Sequence, residues 1–400
     1  MKVLLICYDI KPMSGGESAV AWNIAEQLSA DHEVTVLTRP NNIKICERYC
    51  VNKKLHISFI GFDLNRTLLS LKNKMPGGIF MYSVLWQYFI VKEYRKRKFI
   101  YDIVHSVNFV SDTIPSFIYK LDCFTVWGPI SHHEPLPRYM GPTMHYIRSA
   151  IKFFFRSILW KLFSIQKKIQ KFDLVLYSNE SVTFRLGLFE NMKKWSSTGV
   201  QRVQSSHKDN REEEIITITY ASRMIDIKGW LFLCDVINKV SKDTNGKKIK
   251  FILIGDGPLK KLISDRLRHD IKNELLSIEM YGQIEHSEFQ LILQNSDIYI
   301  CPSFEGGGIA VAEAMQYGLP IICFDNFGPG ETVGPNYIGV VKQAATKEAN
   351  LTAFYDRLIL MICDDELRYI AQEQSLKRVD DELNWETKVK QLNQFYSGMI

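Results

Sequence analysis

Residues 298–333 leave the chain few ways to fold. Ile298 to Cys301 is an apolar run that reads as a strand buried on both faces. A loop with one carboxylate and three glycines follows: Glu305, Gly306, Gly307 and Gly308. Next comes a helical pattern from Ile309 to Tyr317, stopped by Gly318 and Pro320. A second buried strand, Ile321 to Phe324, runs into another glycine-rich loop, Gly328-Pro329-Gly330-Glu331. Strand, loop, helix and strand in this order make the unit of a parallel sheet, which takes its ligands at the carboxyl ends of its strands. Gly306, Gly307 and Gly308 let backbone approach a ligand closely, and the helix start behind them favours phosphate.

Glu305 and Glu313, with seven residues between them, place one carboxylate in the loop and one on the helix. Ionised carboxylates only accept hydrogen bonds, which suits them to the paired hydroxyls of sugars. With Ala314, Gly318 and Pro320 behind them, they resemble the glutamate motif of retaining glycosyltransferases of family 4. That resemblance implies an α/β chain of GT-B fold, with two doubly wound Rossmann-like domains facing across a cleft. It implies that Glu305 and the loop from Gly306 to Ile309 hold the donor sugar, while Glu313 binds the ribose of a nucleoside diphosphate.

The resemblance is strong from 215 to 333 and diffuse before that. Ile215 to Ala221 reads as a strand ending in Ser222-Arg223-Met224-Ile225-Asp226-Ile227-Lys228-Gly229. An arginine can grip an oxyanion bidentately and a lysine adds a point charge. In the family a pair at this spacing faces the donor, so Arg223 and Lys228 are expected to stabilise the diphosphate leaving group as its charge grows. With Glu305 they are the catalytic candidates. Gly255-Asp256-Gly257-Pro258, after the strand Lys250 to Gly255, matches the family's turn in the donor domain. As a dinucleotide fingerprint it fails, because the third glycine is missing. Gly282-Gln283-Ile284 lies where the nucleobase packs in relatives. The chain has no Asp-x-Asp sequence, and the two cations offset diphosphate charge, so no metal or other cofactor is expected.

Earlier in the chain, Val3 to Cys7 is a strand followed by Gly15 and Gly16 and a helix, Ser18 to Leu28. The glycine pair suits either a phosphate cradle, as in the family, or a tight turn. Tyr101 to Ser106 is another strand; its His105 stands at the cleft as a substrate-binding candidate in the family reading, or is a satisfied structural residue. After the strand beginning at Phe124, His132 and His133 stand where some relatives carry glycines, followed by Glu134. These three are adjacent and do not project together as zinc ligands on a helix would.

Four spans follow: an acceptor-side domain (1–195), a polar linker (196–214), a donor-binding domain (215–383) and a helix (384–400) returning to the first domain. The eight cysteines are scattered, mostly in apolar strands, as buried thiols of a reducing compartment are. A net charge of +6 suits a phosphorylated ligand or an anionic surface and is too small to argue for nucleic acid. The most apolar stretch, Ile79 to Val91, is about half of what spans a bilayer.

Tyr146 to Lys171 repeats apolar residues at steps of three and four: Ile147, Ile151, Phe154, Ile158, Leu162, Ile165 and Ile169. That spacing predicts a helix whose apolar face meets the core. Cations from Arg148 to Lys171, with Phe153, Trp160 and Phe163 among them, would then face out, either to an anionic membrane or to water.

The reading is transfer of a hexosyl unit, with retention, from a nucleoside diphosphate sugar to a hydroxyl of a glycan or lipid-linked acceptor. Its setting is bacterial surface polysaccharide or lipopolysaccharide synthesis, in the cytoplasm or on the cytosolic face of the inner membrane. The alternatives are a GT-B epimerase or phosphorylase, and a catalytically silent, membrane-associated protein that binds nucleotide sugars.

Overall fold

The computed structural model describes residues 1–12, 16–74, 77–132, 135–140, 143–201, 203, 215–270 and 273–398. Gly15, His133, Glu134 and most of the 196–214 stretch lie outside them. The chain divides into two compact units, one of residues 1–132, 154–199 and 385–400, the other of 133–153 and 200–384.

The first unit is built on a parallel sheet of seven strands: β1 (Lys2–Cys7), β2 (Glu33–Thr38), β3 (Ile57–Gly61), β4 (Ile103–Ser106), β5 (Phe124–Ile130), β6 (Leu174–Tyr177) and β7 (Met192–Lys194). Their order is β3-β2-β1-β4-β5-β6-β7. Val3 of β1 pairs with Val34 on one side and Ile103 on the other. Successive side chains of a strand point to opposite faces, and β1 feeds two cores accordingly. Val3, Leu5 and Cys7 belong to one cluster and Leu4 and Ile6 to the other, all fully buried. Strands covered on both faces read as unbroken apolar runs, which is why this one is plain in the sequence. The helix Trp385–Ser397 packs Trp385, Val389, Leu392 and Tyr396, spaced by four, three and four, into the first of these clusters.

The second unit repeats the plan with β8 (Ile215–Ala221), β9 (Lys248–Ile254), β10 (Leu276–Tyr281), β11 (Ile298–Cys301), β12 (Ile321–Phe324) and β13 (Val340–Val341). Its order is β10-β9-β8-β11-β12-β13, all parallel. The chain moves outward from β8 through β9 to β10, then returns to the other side of β8 and continues from β11. Loops leaving β8 and β11 therefore diverge and open a crevice at their carboxyl ends, the switch point where such sheets take ligands.

The 146–171 stretch differs from expectation. It forms two helices, Thr143–Leu162 and Ile165–Ile169, separated at Ser164 by a left-handed residue with φ 50°. Ile165 and Ile169 are buried, but Ile147, Ile151, Phe154, Phe155, Ile158 and Leu162 are exposed. The inward face is the one expected outside: Trp160 and Phe163 pack against the first unit's core. Ser149 on that side accepts a 2.9 Å hydrogen bond from the Leu136 amide. The helix is apolar on two sides, so periodicity finds a stripe without saying which stripe is covered.

Candidate functional site

The crevice between β8 and β11 gathers three of the expected residues. β8 ends at Ala221, whose carbonyl accepts from the Tyr299 hydroxyl of β11 at 3.1 Å. The loop beyond turns through a short 3-10 helix, Asp226–Lys228, into the helix Trp230–Lys242. Two buried aromatics shape that loop: Trp230 Nε1 donates to the Arg223 carbonyl at 3.0 Å, and the Tyr220 hydroxyl donates to the Lys228 carbonyl. Gly229 has φ +72°, and a Cβ there would lie 2.3 Å from the Pro302 carbonyl oxygen. Only glycine lets the two loops come this close. The Phe304 amide donates to the Ile227 carbonyl at 2.8 Å and completes the junction.

Across this junction the Lys228 ammonium contacts the Glu305 carboxylate. Lys228 is 12% exposed and Glu305 31%, so the pair sits at the mouth of the crevice rather than in open water. Ser303 Oγ donates to Glu305 Oε1 and accepts from the Glu305 amide, both at 3.3 Å. Arg223 is exposed, and its guanidinium meets no acceptor among the described residues. The arrangement offers one cation already shared with a carboxylate and one available to an incoming anion.

The loop from Glu305 to Gly308 is held from behind by residues not singled out in the sequence. Asn326 donates to the Ser303 carbonyl at 2.7 Å, and its Oδ1 accepts from the amides of Gly328 and Gly330 at 3.2 and 3.3 Å. A Cβ on Gly328 would lie 1.8 Å from the Glu305 carbonyl oxygen, and one on Gly308 2.3 Å from Thr332 Oγ1. Gly306 is buried and Gly307 and Ile309 half-buried. A short polar side chain beside glycines at a strand end is the signal that would have pointed to Ser303 and Asn326.

Glu313 lies on the helix Ile309–Met315. Burial pushes its carboxyl up to about 7. His286 Nε2 is 3.7 Å from its Oε1. Glu313 and Glu305 both lie close enough to the buried Tyr299 to raise its phenol further, after the larger effect of burial. Two carboxylates thus flank one strand end, both partly buried, Glu305 paired with a lysine and Glu313 the more covered of the two.

Gly255 and Gly257 stand beside the same crevice, both with φ +152°. A Cβ on Gly255 would lie 1.9 Å from the Ser222 carbonyl oxygen, and one on Gly257 2.7 Å from that of Met224. These glycines admit the β8 loop itself. Gly282 neighbours the Lys260–Asp256 ion pair of 2.7 Å, with Lys260 Nζ 3.7 Å from where its Cβ would stand.

In the first unit Gly16 precedes the helix Glu17–Leu28 with φ +67°, and a Cβ there would meet nothing within 4 Å. His105 is fully buried at the end of β4. Its Nε2 is 2.7 Å from the Gly128 carbonyl, which can only accept, so the proton sits on Nε2. Nδ1 then accepts from the Tyr396 hydroxyl at 2.7 Å. Burial lowers this imidazole to about 4, so the ring is neutral, and with both nitrogens engaged it has none left for a sugar. His132 is also buried, its Nδ1 3.1 Å from Asp112 Oδ2 and its ring against Arg185.

Residues 202–378 match the family model for glycosyl transferases group 1. That span is nearly the whole second unit, with the Arg223, Lys228, Glu305 and Glu313 positions inside it. An uncharacterised glycosyltransferase of Methanocaldococcus jannaschii is 24% identical over 268 residues, 63% of this chain and 64% of that protein. The poly(ribitol-phosphate) alpha-N-acetylglucosaminyltransferase of Staphylococcus aureus is 24% identical over 168 residues, 42% of this chain and 32% of that one. Each match therefore spans less than two thirds of the relative's length. Among solved structures, a Rickettsia africae glycosyltransferase superposes with a TM-score of 0.62 at 16% identity, covering 99% of this chain and 98% of that one. A TarM variant from S. aureus, in complex with fondaparinux, alpha-GlcNAc-glycerol and UDP, gives 0.65 at 14% identity, covering 99% and 100%. Anabaena HepE with UDP and glucose gives 0.62 at 14%, covering 99% of each chain. At such identities the likeness is one of fold: two parallel-sheet, Rossmann-like α/β domains, as in GT-B glycosyltransferases.

Proposed function

We propose that the chain is a retaining glycosyltransferase of family 4 that moves a hexosyl unit from a nucleoside diphosphate sugar to a hydroxyl. The Lys228–Glu305 pair beside the exposed Arg223, at the switch point of the second sheet, carries this reading. A diphosphate entering the crevice meets Arg223 and draws Lys228 from Glu305, and the freed carboxylate accepts from the sugar's hydroxyls. As the bond from the anomeric carbon to the phosphate oxygen breaks, both cations stabilise the growing negative charge. The acceptor oxygen bonds to that carbon on the same face, and its proton leaves on the departing phosphate. Arg223 and Lys228 supply positive charge without a metal ion. Glu313 receives the ribose, and the Gly282 loop the base.

In this reading a donor-binding domain of residues 215–383 and an acceptor-side domain of residues 1–195 share the work, with 196–214 as the linker and the helix 384–400 returning to the acceptor-side domain. The acceptor is a glycan or a lipid-linked glycan of a bacterial surface polymer, met at the cytosolic face of the inner membrane. TarM and HepE were each captured with UDP, which supports a UDP-sugar as the first donor to test. A thermal-shift panel of UDP-, GDP- and ADP-sugars, followed by single-turnover assay with the labelled sugar that binds, tests the proposal. Transfer or hydrolysis is expected; binding without turnover would leave a silent nucleotide-sugar-binding protein.

A further inference from the structure

The exposed stripe of the helix Thr143–Leu162 and a cluster of lysines beside it are not used by the donor site. Ile147, Ile151, Phe154, Phe155, Ile158 and Leu162 recur at steps of three, four and one, on one side of the helix. Phe154 is 62% exposed and Leu162 72%. On a water-facing helix that side would be polar. Arg148 and Lys152 border it on one edge and Lys161 on the other, and no Asp or Glu occurs between Glu134 and Asp173.

Past the helix end the pattern continues in the first unit. Lys168 stands over the Phe163 and Phe117 rings at 5.3 and 4.8 Å. Lys120 stands over Phe117, Tyr88 and Tyr119, and Lys171 over Tyr119. The Phe163 ring also neighbours Phe80, between the exposed Ile79 and Met81. Among the described residues no carboxylate comes within ion-pair distance of Lys120, Lys168 or Lys171. Burial, then the charges of Lys120 and Lys171, lower Lys168 to about 8. Three lysines held together on aromatic rings, with no carboxylate among them in the described residues, concentrate positive charge at one place.

We infer that this face docks on an anionic phospholipid surface, with the apolar stripe of Thr143–Leu162 inserted at the headgroup boundary and Lys120, Lys168 and Lys171 receiving lipid phosphates. Apolar side chains bordered by cations, with Lys and aromatic rings paired alongside, are the chemistry of a helix lying in a membrane interface. No helix of the described residues is long and apolar enough to cross a membrane, so this one lies on it. A second copy of the chain fits less well, because a shared face would set its cations against their own kind. The inference rests on the membrane-facing acceptor proposed above but is tested apart from it.

The test is co-sedimentation of the full chain with vesicles of phosphatidylcholine alone, or with about a third phosphatidylglycerol. The unmodified chain binds the anionic vesicles, and part of that binding persists at high salt, where screening leaves insertion as the main hold. A variant combining Ile151→Ser, Phe154→Ser, Phe155→Ser and Leu162→Ser loses the salt-resistant part. Lys120→Gln with Lys168→Gln and Lys171→Gln weakens low-salt partitioning by about a hundredfold and removes the preference for anionic lipid. Both variants keep the unmodified melting temperature and the thermal shift with nucleotide sugar, so loss of that shift in every form points instead to failure of the donor reading. The inference is overturned if the unmodified chain ignores the vesicles, or if both variants bind as it does. It is also overturned if the chain is dimeric in solution and the serine variant monomeric, which would make the stripe an interface between copies.

Discussion

Lys228 and Glu305 hold each other across the junction of two loops that leave adjacent strands in opposite directions. Both are partly exposed, and ion pairs of this kind contribute about 1 kcal/mol or less to stability. The pair is better understood as a resting state that ligand charge reorganises. Arg223→Ala and Lys228→Ala should each lower turnover by about a hundredfold or more, as loss of one oxyanion-stabilising donor does. Their melting temperatures should shift by only a few degrees. Near-normal turnover in either variant would exclude that residue from the role.

The two glutamates should separate by ligand. Glu313→Gln should weaken binding of free nucleoside diphosphate as well as of the sugar nucleotide. Glu305→Gln should relax discrimination among sugars and leave free diphosphate bound as before. Calorimetric titration of both ligands into both variants measures this, and the reverse pattern would exchange the assigned roles.

Glu313 also predicts a pH dependence. With its carboxyl pushed up to about 7, the acceptor form grows in through neutrality. Nucleotide affinity should therefore rise between about pH 6 and about pH 8, and flatten in Glu313→Gln. For stability the sign is opposite. Between the ordinary 4.5 and about 7 the folded chain holds the extra proton, so this group's stabilising contribution is full below that window and is lost as pH rises through it. Melting curves of the unmodified chain and the glutamine variant across the window should converge at its acid end.

His105 should behave as a structural residue. His105→Leu leaves the Tyr396 hydroxyl and the Gly128 carbonyl buried without partners, at about 1–3 kcal/mol each. The melting temperature should fall by several degrees while KM for the donor stays within about twofold. Because burial lowers this imidazole to about 4, the unfolded chain binds more protons below the ordinary 6.5. Its contribution is thus present above that value and lost as pH falls toward 4. A large KM change with an unaltered melting temperature would return His105 to the binding site.

Gly328→Ala should abolish activity through Glu305, since the new Cβ collides with that residue's own carbonyl. Gly246→Ala is the control: with φ +72° and nothing within 4 Å, it carries about 1–3 kcal/mol of backbone strain and no collision. Similar turnover in the two variants would refute a role for the Gly328 contact.

What the sequence disclosed follows from how each signal arises. β1, β11 and β12 were plain because strands covered on both faces keep apolar residues at nearly every position, whereas β8 interleaves Thr217 and Thr219 with its apolar residues. That Arg223, Lys228 and Glu305 lie on loops at strand ends and Glu313 on the helix behind was legible, though which carboxylate pairs with which cation was not. Tyr299 and Asn326 were missed because each acts through a hydrogen bond to backbone distant in sequence, at the Ala221 and Ser303 carbonyls. Gly255, Gly257 and Gly308 were read as room for a ligand, and the structure shows the first two as room for the β8 loop and the third as room for Thr332. Both uses demand the same missing Cβ. The helix after Thr143 was turned inside out for a related reason, since an apolar stripe does not declare what covers it.

The helix Trp385–Ser397 is synthesised only after the entire second unit, yet it fills the first unit's core beside Trp195 and His105. Domains usually fold in the order they emerge from the ribosome. Here the half that emerges first must wait for a piece that emerges after the other is complete. A nascent chain halted just before Trp385 should already protect its second half from protease while the first stays open to cleavage. The unit that begins the chain is the one that finishes folding last.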